Sequence, residues 1–193
     1  MFTADFWERA CVYLSGGIGL KCIPYTELGG RISLSNDYMA ALWGRMLFDG
    51  TAKTVFMNGR VTTVDDFISF MRSSNNLVHL VAEEDEPLMI AWLNNIDNGA
   101  AQCHFNAFSN AWGGRAIKAF KACFWYWFGF VKDGEPVLRI ITGVIPSTNK
   151  RACSFAEKVG TRLGEIPNLL YDAYSGQPVA ATIFYTERDK WVE

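Results

Sequence analysis

The chain has 193 residues, half of them hydrophobic and 20% charged, with 18 basic side chains against 20 acidic ones. This length suits one folded unit, residues 1–193, that buries about two thirds of the surface its unfolded form exposes. The near balance of charge argues against nucleic acid or an anionic membrane as partner and leaves a small molecule or peptide.

Met1–Arg9 carries Asp5, Glu8 and Arg9 before any apolar run, which is wrong for a secretory signal. The cysteines, Cys11, Cys22, Cys103, Cys123 and Cys153, are odd in number and widely spaced. With no CxxC pair and no histidine at metal-ligand spacing, they read as reduced buried thiols of a cytoplasmic protein without a metal site. Ser35, Asn36 or Asp37 caps a helix through Tyr38–Phe48, whose Met39, Leu42, Trp43, Met46 and Leu47 recur at helical spacing. Thr63 with Asp66 three residues on marks a second helix start. From Leu77 the pattern changes to short apolar runs, Leu77–Ala82 and Leu88–Leu93, separated by the acidic turn Glu83–Pro87. After the turn Asn94–Gly99 a third strand, Ala100–Phe108, completes an antiparallel meander.

Gly113 and Gly114 precede a helical run, Arg115–Phe128, with Ile117, Phe120, Phe124 and Trp127 at the helical period. The most apolar stretch, Ala119–Val131, contains Lys121 and is shorter than the about 20 residues a bilayer span needs, so it reads as a buried helix. Leu138–Ile145 is an apolar run of strand length closed by Pro146. Asn149 begins a helix to Lys158 that Gly160 ends, and Leu169–Tyr174 with Val179–Thr186 reads as a last hairpin.

The segment Val144–Gly160, VIPSTNKRACSFAEKVG, resembles the GNAT superfamily of N-acetyltransferases: Asn149, Ala152, Glu157, Lys158 and Gly160 fall in register with that family's pattern. The resemblance is best over Leu77–Glu165. It implies an α/β (α+β) fold with a mixed, mostly antiparallel central sheet, flanked by helices and splayed between its fourth and fifth strands. It also implies acetyl-CoA as co-substrate and a small-molecule or peptide amine as acceptor. The family's pyrophosphate loop corresponds here to Ala111-Trp112-Gly113-Gly114-Arg115-Ala116. Gly114 and Ala116 match, while Ala111 replaces the usual Gln or Arg. The chemistry needs mainly backbone: glycines admit a pyrophosphate closely and the helix start offers N–H groups, with Arg115 as an added charge.

Acetyl transfer to an amine needs a base, donors for an oxyanion and an acid for the departing thiolate. His104 is the candidate base, because it titrates near neutrality and lies on the strand that the resemblance puts beside the cofactor. Alternation sets it with Gln102, Asn106 and Phe108, while Cys103, Phe105 and Ala107 face the other way; Cys103 and Phe105 are expected on the cofactor. His79, within an apolar strand, reads as a packing residue. Asn149 caps its helix and, by resemblance, also touches the pantetheine arm. Where the family often places an acid tyrosine this chain has Ala156, so the acid is Ser154, Cys153, water or a tyrosine from elsewhere, or the protein binds its cofactor without efficient turnover. The acidic run Glu83–Glu86 is a solvated turn or an attractor for a cationic amine. Trp112 with one ring of the cluster Phe124–Phe128 walls an acceptor pocket or an oligomer contact, and a homodimer follows from the second reading.

Overall fold

A computed structural model describes residues 19–192; the Met1–Arg9 segment and Cys11 lie outside the described residues. Two short ladders aside, the strands form one sheet. In chain order they are β1 (Leu20–Pro24), β4 (Leu77–Glu83), β5 (Glu86–Asp97), β6 (Ala100–Ala107), β9 (Ile140–Pro146), β10 (Thr161–Asp172) and β11 (Gln177–Glu187). The ladders are β2 (Glu27–Leu28) with β3 (Arg31–Ile32), and β7 (Val131–Lys132) with β8 (Glu135–Pro136). The order across the large sheet is β1-β4-β5-β6-β9-β11-β10. All neighbours are antiparallel except β6 and β9, which run parallel.

That one parallel contact is short. It joins Ala100 to Ile140, Ala101 to Ile141 and Gln102 to Thr142, and stops. Beyond it β6 continues to Ala107 paired with β5, and β9 continues to Pro146 paired with β11. The fourth and fifth strands of the sheet in chain order are therefore splayed, as the resemblance implies.

Helices α1 (Asn36–Phe48), α2 (Ala52–Val55) and α3 (Val64–Arg72) cover one face. Ser35 caps α1 by accepting the Tyr38 N–H, and Thr63 and Asp66 close a reciprocal capping box on α3. Their apolar sides, including Met39, Met46 and Phe67, pack on Trp92 of β5 and Phe108 just past β6. Helix α4 (Gly114–Phe128) covers the other face with Phe120, Phe124 and Trp127. Its Trp127 Nε1–H donates to Nδ1 of fully buried His79 at 3.1 Å, which fits the packing role expected of that histidine. Helix α5 (Lys150–Val159) follows β9 and packs on α4.

Besides the two short ladders and β5 running on to Asp97 through part of the expected turn Asn94–Gly99, three departures from the sequence reading bear on the sheet and its cover. Strand β1 was not expected: only five residues long, it is held by pairing with β4. The short helix α2 was not expected either. Strand β10 begins at Thr161, eight residues before Leu169, and keeps Gly164 and Pro167 because it is a sheet edge with two register shifts.

Gly160 ends α5 under β11, and a Cβ there lies 2.8 Å from the Tyr185 carbonyl oxygen, a backbone atom that cannot swing aside. Gly160→Ala is expected to lower stability by about 1–3 kcal/mol, the usual cost of overpacking, read as a reduced urea midpoint at unchanged slope.

Candidate functional site

The splay opens a cavity of about 360 Å³ that passes between the two strands from one face of the sheet to the other. On the side of α1 and α2 it is lined by Asp49, Thr51, Thr54, His104 and Asn106. On the side of α4 and α5 it is lined by Phe105, Trp112, Gly113, Ala116, Asn149 and Phe155, with Arg151 and Ala152. Cys103 and Ala107 complete the β6 wall, and Val144, Ile145 and Pro146 form the β9 wall. The strand's alternation produces this division, since successive side chains of β6 leave on opposite faces.

At the α4 end the chain turns through Ser109–Ala111 and Gly113, whose φ of +90° and ψ of −135° suit only glycine. No side chain caps α4 and its first turn holds no acid, so its leading N–H groups face outward with the positive end of the helix dipole. Trp112 is fixed by its Nε1–H bond to the Ala107 carbonyl at 3.0 Å, and the Arg151 guanidinium sits 4.2 Å from its ring centroid. Asn149 Oδ1 accepts the Ala152 N–H at 3.1 Å, so that oxygen caps α5.

Other sequence candidates lie elsewhere. Ala111 is fully buried in the core. Gly114 is exposed just outside the cavity lining. The Arg115 guanidinium turns away to Glu83 at 2.6 Å and Glu86 at 2.9 Å, and its third bond goes to the Asn110 carbonyl. This removes Arg115 as the extra charge of the loop and sets its one positive charge against two carboxylates of the acidic turn. Both partners are 29 or more residues away in the chain, which local reading does not see. Ser154 is exposed on α5 and does not line the cavity. The cation that does line it, Arg151, was missed; its place two residues after the cap Asn149 is the available signal.

His104 stacks on Trp92 with ring centroids 5.3 Å apart, and its Nε2–H donates to Asn94 Oδ1 at 3.1 Å. Nδ1 is then left as the acceptor. Burial pulls its pKa down to about 4, below the near-neutral value expected from sequence. Cys103 has a thiol pushed up by burial, so it stays protonated at neutral pH. A smaller apolar pocket of about 50 Å³ adjoins at the base of the splay, walled by Phe105, Phe120, Ile145, Phe155 and Ala156 among others. Among the described residues no cluster of histidine, cysteine and carboxylate side chains forms a metal site, and no helix is long and apolar enough to cross a membrane.

The depressed histidines set a stability profile. Both are neutral in the fold, and the unfolded chain binds protons below about pH 6.5. Stability is therefore fully present above that pH and falls as pH drops, until His104 protonates in the fold near 4 and His79 near 3. Each group contributes a slope of up to about 1.4 kcal/mol per pH unit. Urea midpoints measured from about pH 7.5 down to 5 are expected to fall in the wild type and to fall less steeply in His104→Gln.

No protein-family model matches the chain, and no curated protein matches it. Solved structures do. The spermidine N-acetyltransferase from Vibrio cholerae, in complex with CoA and spermine, superposes with a TM-score of 0.67 at 12% identity, covering 91% of this chain and 99% of that one. The ribosomal-protein-S5-alanine acetyltransferase from Vibrio fischeri gives 0.64 at 11% identity, over 91% and 97%. A microcin C7 self-immunity acetyltransferase in complex with acetyl-CoA and AMP gives 0.66 at 14% identity, over 88% and 92%. With the mixed sheet, its splay and the flanking helices already in place, these superpositions show that the chain has the fold of the GNAT N-acetyltransferases.

Proposed function

We propose that this chain moves an acetyl group from acetyl-CoA to the amine of a small molecule or peptide. The observation that carries the reading is the single cavity crossing the sheet through the splay. Two substrates entering from opposite faces meet there without either passing the other.

The donor end suits CoA. A pyrophosphate needs close backbone approach, N–H donors and positive charge, and Gly113, the uncapped start of α4 and Arg151 supply these. Along the gap, the β6 edge over Cys103–Ala107 has no sheet partner on the β9 side among the described residues, so its backbone groups can bond the amides of a pantetheine arm. When bound, acetyl-CoA supplies the activated acyl group.

The rest of the assignment concerns this chain's own residues. His104 is neutral at pH 7, and its Nδ1 takes the proton that the amine loses. Cys103, held as a thiol, does not form an acyl-enzyme, so the transfer is direct. Ser154 faces solvent, Ala156 has no acidic proton, and among the described residues neither Cys153 nor a tyrosine lines the cavity, which leaves water to protonate the leaving thiolate. Ser154 and Ala156 also favour a second reading, a CoA-binding protein with little turnover. Thiol release from acetyl-CoA over a panel of amines separates the two: steady release supports transfer, and binding without release supports the second.

Two variants test the assignment. A Cβ at Gly114 meets nothing within 4 Å, so Gly114→Glu is expected to fold and to lower CoA affinity more than about tenfold by placing a charge at the pyrophosphate position, measured by calorimetry. His104→Ala is expected to lower turnover by about 10²–10⁴ with CoA affinity nearly intact. Because His104 titrates near 4, the wild-type rate is expected to show no imidazole limb between about pH 6 and 8. Such a limb removed in the variant refutes the assigned protonation state.

A further inference from the structure

We infer that the α1–α2 end of the cavity is a binding site for an alkylammonium that carries a neutral oxygen acceptor, a carbonyl or hydroxyl, close to its nitrogen. The inference rests on the reading of that end as the acceptor side.

Asp49 is the one carboxylate among the described residues lining the cavity. It ends α1, where its backbone N–H donates to the Arg45 carbonyl, and its Oδ2 accepts the Ser109 N–H at 2.8 Å from just past the end of β6. The carboxylate is thus pinned from two sides. No cation neutralises it: among the described residues Asp49 forms no ion pair. The nearby arginines are committed elsewhere, Arg45 to the Pro87 carbonyl and the Phe108 ring, Arg115 to Glu83 and Glu86. A fixed, partly buried carboxylate without a counter-ion is completed by a cation from the ligand.

Asn106 supplies the second, independent observation. It is 3% exposed, lines the same cavity, and among the described residues its Nδ2 has no hydrogen-bond partner. Native structures seldom leave a buried amide donor unpaired. Its requirement is opposite to that of Asp49, since it needs an acceptor. A ligand that satisfies both brings an ammonium to Asp49 and an uncharged oxygen to Asn106; a carboxylate is disfavoured by Asp49 itself. Hydrocarbon polyamines satisfy only Asp49, and aryl amines, neutral at pH 7, satisfy neither.

The test uses glycinamide, propylamine and aniline as acceptors at saturating acetyl-CoA. Wild type is expected to show a KM for glycinamide about tenfold below that for propylamine and no use of aniline. Asp49→Asn keeps an oxygen for the Ser109 N–H and removes only the charge. It is expected to raise KM for both alkylamines by about 10–100-fold and leave KM for acetyl-CoA unchanged. Asn106→Leu is expected to abolish the preference for glycinamide over propylamine, with a thermal melt as control for folding. Unchanged KM in Asp49→Asn, or a retained preference in Asn106→Leu, overturns the inference and leaves the transfer reading intact. If no amine turns over, calorimetry of glycinamide against the CoA complex decides: binding that Asp49→Asn abolishes upholds the site while transfer fails, and no binding overturns the site.

Discussion

Everything else in this structure depends on the parallel pairing of β6 and β9 stopping after Gln102 and Thr142. Backbone donors and acceptors are obligatory bonding groups, so two strands that part inside a sheet leave a row of them unmatched along the gap. A fold sustains that deficit only if other contacts bridge the opening. Here three rings do so: Phe105 of β6, Phe120 of α4 and Phe155 of α5 sit with centroids 4.6–5.3 Å apart. Helix α5 is tied across the gap to the half-sheet it does not belong to. Far from these rings, the turn of the β10–β11 hairpin meets the region after α2, where the Ala173 N–H bonds the Met57 carbonyl at 2.8 Å. The gap is braced on both faces and stays open between.

That opening also separates charge. Among the described lining residues the only cation is Arg151, on the α5 side, and the only carboxylate is Asp49, beside α2. None of the acidic turn Glu83–Glu86 lines the cavity, and Arg115 offsets one of its charges while holding the Glu86 carboxyl below its usual pKa. Arg115, by sequence the residue most suited to a phosphate, is instead a strut between the β4–β5 turn and the start of α4. Under the proposed function, backbone N–H groups and the helix dipole then do most of the work at the α4 end.

Local patterns carried much of this into the sequence. The meander, the two helices of the strand–helix–strand–helix unit and the final hairpin each announce themselves through periodicity and turn residues, and Ser35 and Thr63 cap where their chemistry says they should. Strand β1 is invisible locally because five residues containing Lys21 and Pro24 have no pattern of their own and need β4 beside them. The start of β10 is hidden because an edge strand tolerates Gly164 and Pro167, which elsewhere end strands. In the site, His104 and its alternation partners Asn106 and Phe108 are legible from a period of two. Asp49 is not: its bond to Ser109 spans 60 residues, and nothing near it in the sequence marks a carboxylate that forms no ion pair among the described residues.

The same burial acts on two neighbours of β6 with opposite chemical meaning. Taking a group out of water disfavours its charged form whatever the sign of that charge. For Cys103 the charged form is the nucleophilic thiolate, and its suppression speaks, under the proposed function, against a covalent acyl-enzyme. For His104 the charged form is the imidazolium, and its suppression keeps the ring ready to accept a proton at any pH above about 4, at the expense of basicity. A base that weak does not hold a proton for long, so it suits a step in which the proton passes onward to solvent or the leaving group within one complex. On the proposed function, a gap narrow enough to desolvate both side chains favours direct transfer between two substrates over a stepwise route through the protein.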